Sequence, residues 1–469
     1  MKINVPERNW APMGVLSPQS IRQFKGENTL DAFSIEKTYG TRAQNVTGSE
    51  FPGMSTRPGN TAVGTVRSGR ILGLGVWKDN ELHAIANGTW SRYTSGAWSD
   101  IATGLNTSAP WSFCNFQGNL AGINLLAANG VDPIKRWDGT SVSSLTDAPS
   151  NGNYIDQHDN RVYAAEGNTV HFSALRKADD WTTVDDAGTI VVETNNGETI
   201  NGMKAGSRHL MVFKPSSIHE LWGTGPLNYQ MTTVASDIGL LSNQCVTVIQ
   251  GIPHWMDTNG IYRYGGSRPT KDFSLPVKAY IDGLNKNVKE KACAGTDGKN
   301  LYVGIPYDTA TDPDTILEYN NDFQLWTVWK SLSPLHFAQM SGNWYFGDTA
   351  GYVRQIGGTT DNGTAITYDW VSAPFGGGSL AQKLQWYRMW YVCDVPAGST
   401  MNVYLSPSAE GDSDWVLVKA IAANDLQSGR VIIPVDTVAN ANWVRVRLTG
   451  TGPMKVTELD YQLRELPMY

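Results

Sequence analysis

Little in this sequence supports a membrane span, a metal site or a catalytic nucleophile. No apolar run approaches the roughly 20 residues of a spanning helix, and no long Ala/Leu/Glu/Lys stretch marks a helical region. The opening MKINVPERNW has no apolar segment after its basic residue, so it does not read as a signal peptide. Cysteine is sparse. Cys114, Cys245, Cys293 and Cys393 lie far apart and form no CxxC pair, which argues against both a zinc site and a disulfide framework. Cys114 and Cys393 sit in apolar, strand-like contexts and are expected to be buried thiols. The seven histidines, His83, His158, His171, His209, His219, His254 and His336, show no HxH, HxxxH or HExxH spacing. There is no GxSxG elbow, no P-loop and no glycine-rich dinucleotide signature opening a helix. The expectation is no catalytic, cofactor-binding or metal-binding residue, and hence no enzyme and no cofactor.

An excess of positive charge is also missing. The formal net charge is −7, with both signs spread along the chain. Affinity for phosphates needs a basic patch or stripe. A chain without one fits ordinary solubility, or a surface that nucleic acid passes without sticking.

What the sequence does have is glycine, at 48 residues, and 17 tryptophans with 19 tyrosines. Glycine marks frequent turns, and the aromatics suit half-buried strand faces. The strands recur. One begins at Glu81 (ELHAIAN), then at Asn119, Arg161, His209, Ile252, Asn300 and Asn343, at intervals of 38 to 48 residues. A partner follows each, running through Arg92, Arg136, His171, Glu220, Arg263, Glu318 and Arg354. Seven alternating strand pairs at this spacing are the mark of four-stranded propeller blades. One blade cannot bury both faces of its sheet, so blades must stack, and a closed ring leaves only short edges. The fold class read from this is all-β: a β-propeller of about seven blades (six to eight), a C-terminal β-sandwich and an extended N-terminal arm.

The boundaries follow from where the repeat stops. Residues 1–60 carry Pro6, Pro12, Pro18, Pro52 and Pro58, and read as an extended arm able to supply one strand that closes the ring. Residues 61–358 hold the propeller. Residues 359–469 begin with breaks at Gly363, Gly376, Gly377 and Gly378 and continue as six alternating strands, a sandwich of about 110 residues. In WVRVRL, Val444, Val446 and Leu448 are expected in the core, with Arg445 and Arg447 outward, solvated or gripping an acidic neighbour.

Four groups invite a chemical reading. Asp308, Asp312 and Asp314 lack the central Gly and final Glu of an EF-hand, and read as a solvated hairpin loop. Asp179, Asp180, Asp185 and Asp186 read as a turn rather than a glycosidase pair. His219 and Glu220 are adjacent on one strand, so one is expected inward and one outward, which excludes a dyad. Trp90, Trp98, Trp137 and Trp222 could be sugar platforms, but their recurrence at repeat positions favours blade packing.

Four stretches resemble the propeller-containing tail proteins of tailed bacteriophages: MSTRPGN (54–60), VHFSALRKADDWT (170–182), INGMKAGSRHLMVFKPSSIHELWGTG (200–225) and IGLLSNQCVTVIQGIPHWMDTNGIYRYGG (238–266). The plan is similar to that of the tail nozzle or hub, the packaged-DNA stabilisation protein of short-tailed phages. The resemblance implies a structural virion protein made in the host cytoplasm and placed in the tail. It implies a cyclic homo-oligomer, sixfold in short-tailed phages, that extends the portal and adaptor channel, retains packaged DNA and releases it on infection. Its partners would be the portal, adaptor and other tail proteins, with double-stranded DNA passing transiently. Two alternatives remain open: a minor tail or baseplate protein contacting the host, and a carbohydrate-binding or carbohydrate-hydrolysing propeller.

Overall fold

The computed structural model describes residues 17–376, 382–436 and 440–466. The chain divides into two compact units. One comprises Pro58–Gln324 and Val328–Thr364. The other comprises the described residues of Met1–Arg57, Leu325–Thr327 and Ala365–Tyr469.

The first unit is a seven-bladed propeller. Blades one to four are four-stranded antiparallel meanders: Ile71–Ala102, Ser112–Ser144, Tyr154–Val191 and Gly202–Ala235. Blade five has three strands, Val246–Ile249, Ile252–Asp257 and Gly260–Arg263. Blade six has Cys293–Thr296, Leu301–Ile305 and Thr315–Asn320, and its fourth strand keeps residues 328–330 in this unit, Leu325–Thr327 being counted with the other. Blade seven supplies Pro334–Met340, Asn343–Asp348 and Val353–Ile356, and takes its outer strand from Asn60–Ala62, far upstream. Six of the seven strand pairs read from the sequence are the second and third strands of a blade; in blade two the strand expected from Asn119 begins only at Asn124, and residues 119–123 form a loop. Tight turns hold these pairs in register. Asn87 and Gly88, both at positive φ, join the second and third strands of blade one, a conformation that the two-residue hairpin turn demands.

Apolar clusters fill the gaps between neighbouring blades. Trp90, Trp111 and Trp137 pack between blades one and two, and Leu126, Ile134 and Val162 between two and three. Tyr163, Phe172 and Leu221 lie between three and four. Trp329 and Trp344 lie between six and seven, while Ile71 and Leu82 meet Tyr345 and Val353 across the junction of seven and one. Blade four is tied to blade five where Met203 N donates to Asn243 Oδ1 at 3.0 Å, and blade five to six where Ser242 Oγ donates to Ala292 O at 3.0 Å. The ring is therefore closed. Each large apolar side chain buried in these seams contributes about 1.5–3 kcal/mol relative to exposure.

The second unit is a two-sheet sandwich around a single core. One sheet orders Val46–Thr47, Met54–Thr56, Lys455–Glu465, Leu384–Asp394 and Arg430–Pro434, with Ser17–Ile21 also on Lys455–Glu465. The other contains Gly40–Gln44, Thr367–Ser372, Trp443–Thr451, Thr400–Ser406 and Val416–Ile421. All six strands expected after residue 383 are present, and Val444, Val446 and Leu448 are fully buried.

Two expectations need correction. The segment 1–60 is not a separate extended arm. Its described strands pair with C-terminal ones, and Ile21, Phe24, Val46 and Met54 sit in the sandwich core. Burial of these apolar residues is completed by the C-terminal sheets, with which they share one core. The boundaries shift accordingly, to 58 and 364. Second, Arg445 does not point to solvent. It is buried, donates to Ser408 O at 2.8 Å and to Gly411 O, and lies 4.7 Å over the Trp415 ring. Arg447 grips Asp369 with two hydrogen bonds of 2.8 and 2.9 Å, an intramolecular fork rather than a free charge. Of the expected glycine breaks, Gly377 and Gly378 lie outside the described residues.

Candidate functional site

The acidic groups are used up locally. Asp180 caps a turn: Thr183 donates from Oγ1 at 2.6 Å and from N at 3.0 Å, and Lys177 Nζ lies 3.1 Å away. Those hydrogen bonds, from Thr183 first and then Lys177, hold its carboxyl well below the usual range. Asp179 accepts from Asn119, and Asp186 pairs with the buried Arg161 at 2.8 Å. Asp185 occupies a positive-φ turn position. Asp179, Asp180 and Asp186 thus have separate partners, and the described contacts bring no two of the four carboxylates together as an acid–base pair.

Asp308, Asp312 and Asp314 lie on the loop between the second and third strands of blade six. Asp312 is bound by Arg70 at 2.7 Å and Lys291 at 3.1 Å, so it is not a freely solvated loop residue. Partial burial opposes its ionisation, but hydrogen bonds from these two cations outweigh that and hold its pKa low. Arg70 and Lys291, with His336 and Gln244, line a cavity of about 360 Å³ where inner strands begin. Asp314 accepts from Tyr307 N and Thr315 Oγ1, and Asp308 takes a positive φ. The described residues hold no group of three or more His, Cys, Asp or Glu able to bind a metal. The four cysteines are free and buried.

His219 and Glu220 do face opposite sides of their strand, but neither points outward, since both are buried between blades. His219 contacts Ser217 Oγ at 3.0 Å and Thr233 Oγ1 at 3.2 Å, and burial pushes its pKa down to about 4. Glu220 shares its face with Trp222, two residues on. Its Oε2 accepts from Trp222 Nε1 at 3.1 Å and from Tyr264 Oη, on blade five, at 3.0 Å. Its Oε1 lies 3.8 Å from Nε2 of His209, which stands beside Trp222 with ring centroids 3.8 Å apart.

These four residues line a cavity of about 340 Å³ together with Ser207, Arg208 and glycines 206, 251, 265 and 266. The first and third strands of a blade run parallel. The loops after them therefore open at the same end, which is why residues 206–209, 222, 251 and 264–266 meet there. The four tryptophans divide accordingly. Trp90 and Trp137 are fully buried, with Trp90 donating to His83 at 3.1 Å. Trp98 donates to Val63 O at 2.7 Å. Trp222 is 45% exposed and faces the cavity. The i, i+2 pair of Glu220 and Trp222 was visible in the sequence, whereas His209 and Tyr264 join it only through strand pairing and blade stacking.

No protein-family model and no curated protein matches this sequence. Among solved structures, the chain is similar to the computationally designed Ika8 protein, at 12% identity and a TM-score of 0.41 over 63% of this chain and 99% of that one. It is similar to the extracellular domain of a one component system protein from B. thetaiotaomicron, at 9% identity and a TM-score of 0.46, covering 85% of this chain and 59% of that one. It is also similar to YCF48 from Cyanidioschyzon merolae, at 8% identity and a TM-score of 0.41 over 64% and 98% of the two chains.

Proposed function

We propose that this protein is a structural subunit of a phage tail nozzle or hub. Copies of it would form a ring that continues the portal and adaptor channel, retains packaged DNA and lets it leave on infection. One observation carries the reading beyond the four resembling stretches. The propeller is an insertion, and both of its ends enter a sandwich built from the two flanks of the chain. Fraying at one terminus does not release the ring, because its closing strand, Asn60–Ala62, and its last blade are followed on both sides by laddered strands. That suits a part that bears load. The net charge of −7 suits a conduit, since strong phosphate binding would stall DNA.

Cyclic head-to-tail contacts close into rings when the rotation fits, with each subunit presenting two different surfaces. The test is negative-stain electron microscopy and native mass spectrometry of the full chain, alone and mixed with a portal–adaptor assembly. A cyclic particle with a lumen wide enough for a duplex is expected in at least one condition. Monomers alone in both conditions would overturn the reading.

A further inference from the structure

We propose that the cavity at Trp222 binds a pyranose ring of a glycan. The proposal does not depend on the tail-subunit reading. It begins with the indole. Trp222 is large, apolar and 45% exposed, yet it is not loose. Its Nε1 is held by Glu220, and His209 stands against it at 3.8 Å. An aromatic face fixed in advance loses little freedom on binding, which is what a stacking platform requires.

The carboxylate supplies the second element. Glu220 is only 3% exposed, yet no lysine or arginine pairs with it among the described residues. Two donors, Trp222 and Tyr264, occupy Oε2, while Oε1 has only His209, at 3.8 Å, beyond hydrogen-bond reach. Oε1 therefore keeps acceptor sites open on the cavity side. Ligand hydroxyls would fill them.

The site's chemistry selects among ligands. Arg208 also lines the cavity, but the Glu220 carboxylate facing it repels phosphate, and so disfavours nucleotides. Trp222 is the most exposed ring of the lining and His209 stands against it rather than across the cavity, which does not match a multi-faced cage for a quaternary ammonium. A pyranose matches what is there, with a C–H face for the indole and adjacent hydroxyls for Glu220 Oε1 and the exposed backbone at Gly265 and Gly266. Neither glycine has an atom within 4 Å of where a Cβ would stand, so the backbone there is open to approach. A volume of about 340 Å³ is near the lower end of small-molecule sites and holds one sugar ring with little to spare.

The test is saturation-transfer NMR on the full chain with methyl glycosides of glucose, galactose, mannose and N-acetylglucosamine, followed by a glycan array. At least one glycoside should bind. Trp222→Ala should weaken it by roughly tenfold or more, and Glu220→Gln and Tyr264→Phe should weaken it with the circular dichroism spectrum unchanged. Val184→Ser, on an exposed residue of blade three, should bind as wild type. The proposal is overturned if no glycoside or array glycan binds, if binding survives both Trp222→Ala and Glu220→Gln, or if tetramethylammonium or AMP binds in a Trp222-dependent way and no sugar does.

Discussion

Asn60 and Ile356 lie opposite each other in the strand pair that closes the propeller, although 296 residues separate them. Asn60 is buried. Its Nδ2 donates to Asp361 Oδ1 at 2.7 Å, and its Oδ1 accepts from Arg354 at 3.2 Å. The closure is thus held by a side chain as well as by the ladder. Asn60→Ala should destabilise the propeller by about 1–3 kcal/mol, the range for removing one partner from a buried hydrogen-bonded pair. Urea unfolding followed by fluorescence should show a lower midpoint with an unchanged slope. A midpoint within error of wild type would mean that backbone pairing alone closes the ring.

Arg447, Arg42 and Asp369 form a second shared centre, in the sandwich. Asp369 receives the Arg447 fork and also Arg42 at 3.0 Å, while Arg42 reaches on to Asp412 at 2.6 Å. All three side chains at the Asp369 end are less than a third exposed. Asp369→Ala should therefore cost more than Arg42→Ala or Arg447→Ala, at roughly 2 kcal/mol, because it strands two guanidinium groups. A double-mutant cycle between positions 369 and 447 should give a coupling above about 0.5 kcal/mol. Additive effects would show the fork to be energetically idle.

Buried histidines set the acid limit of the propeller. Burial pushes His83 down to about 3 and His219 and His254 to about 4, against about 6.5 in an unfolded chain. Between pH 6.5 and 4 the unfolded state binds more protons than the folded one, so stability falls as pH falls through that window and is fully present above it. Each such histidine adds a slope of up to about 1.4 kcal/mol per pH unit. Thermal unfolding at pH 7, 6, 5 and 4 should show a steepening loss, and His254→Gln should flatten it. A profile flat down to pH 4 would mean these rings are already solvated.

How far the sequence could be read follows from burial. The second and third strands of each blade are rich in apolar residues and bounded by turn residues, so six of the seven pairs were legible; the second strands are buried on both faces rather than alternating, and the one expected from Asn119 begins at Asn124. The inner strands were not. Gly73 and Gly75 sit where a Cβ would strike Trp111 and Phe113 of the next blade, a constraint set by packing that the sequence shows only as glycine. Outer strands such as Ala97–Ala102 are mostly exposed and carry little pattern either. At the cavity, His219 was the conspicuous neighbour of Glu220 in sequence, but strand alternation sends it to the opposite face. The residue beside Trp222 is His209, because Leu210 pairs with Leu221 and His209 precedes it. Tyr264 arrives from another blade altogether.

Removing the N-terminal segment separates the two roles it could have. A free arm could be deleted without harm to the fold, whereas strands woven into a core could not. Here Ser17–Ile21 and Met54–Ser55 ladder onto the strand Lys455–Glu465, and Gly40–Gln44 ladders onto Thr367–Ser372. Phe24 stands edge-on to Trp370 with ring centroids 5.6 Å apart, inside the same core. Deleting Met1–Arg57 exposes that core and two sheet edges while leaving the propeller's closing strand, Asn60–Ala62, in the chain. The truncated protein should lose near-ultraviolet circular dichroism from the sandwich aromatics, bind a hydrophobic dye and aggregate through its open edges. The propeller should persist as a separate, still cooperative unfolding transition. A second variant, Phe24→Ala, keeps every strand and should lower the sandwich transition alone, by about 3–5 kcal/mol. If the truncation leaves the spectrum and both transitions unchanged, the flanks do not share a core, and the segment serves assembly only. If it abolishes both transitions, the propeller does not fold without its companion, and the insertion is one cooperative unit rather than two.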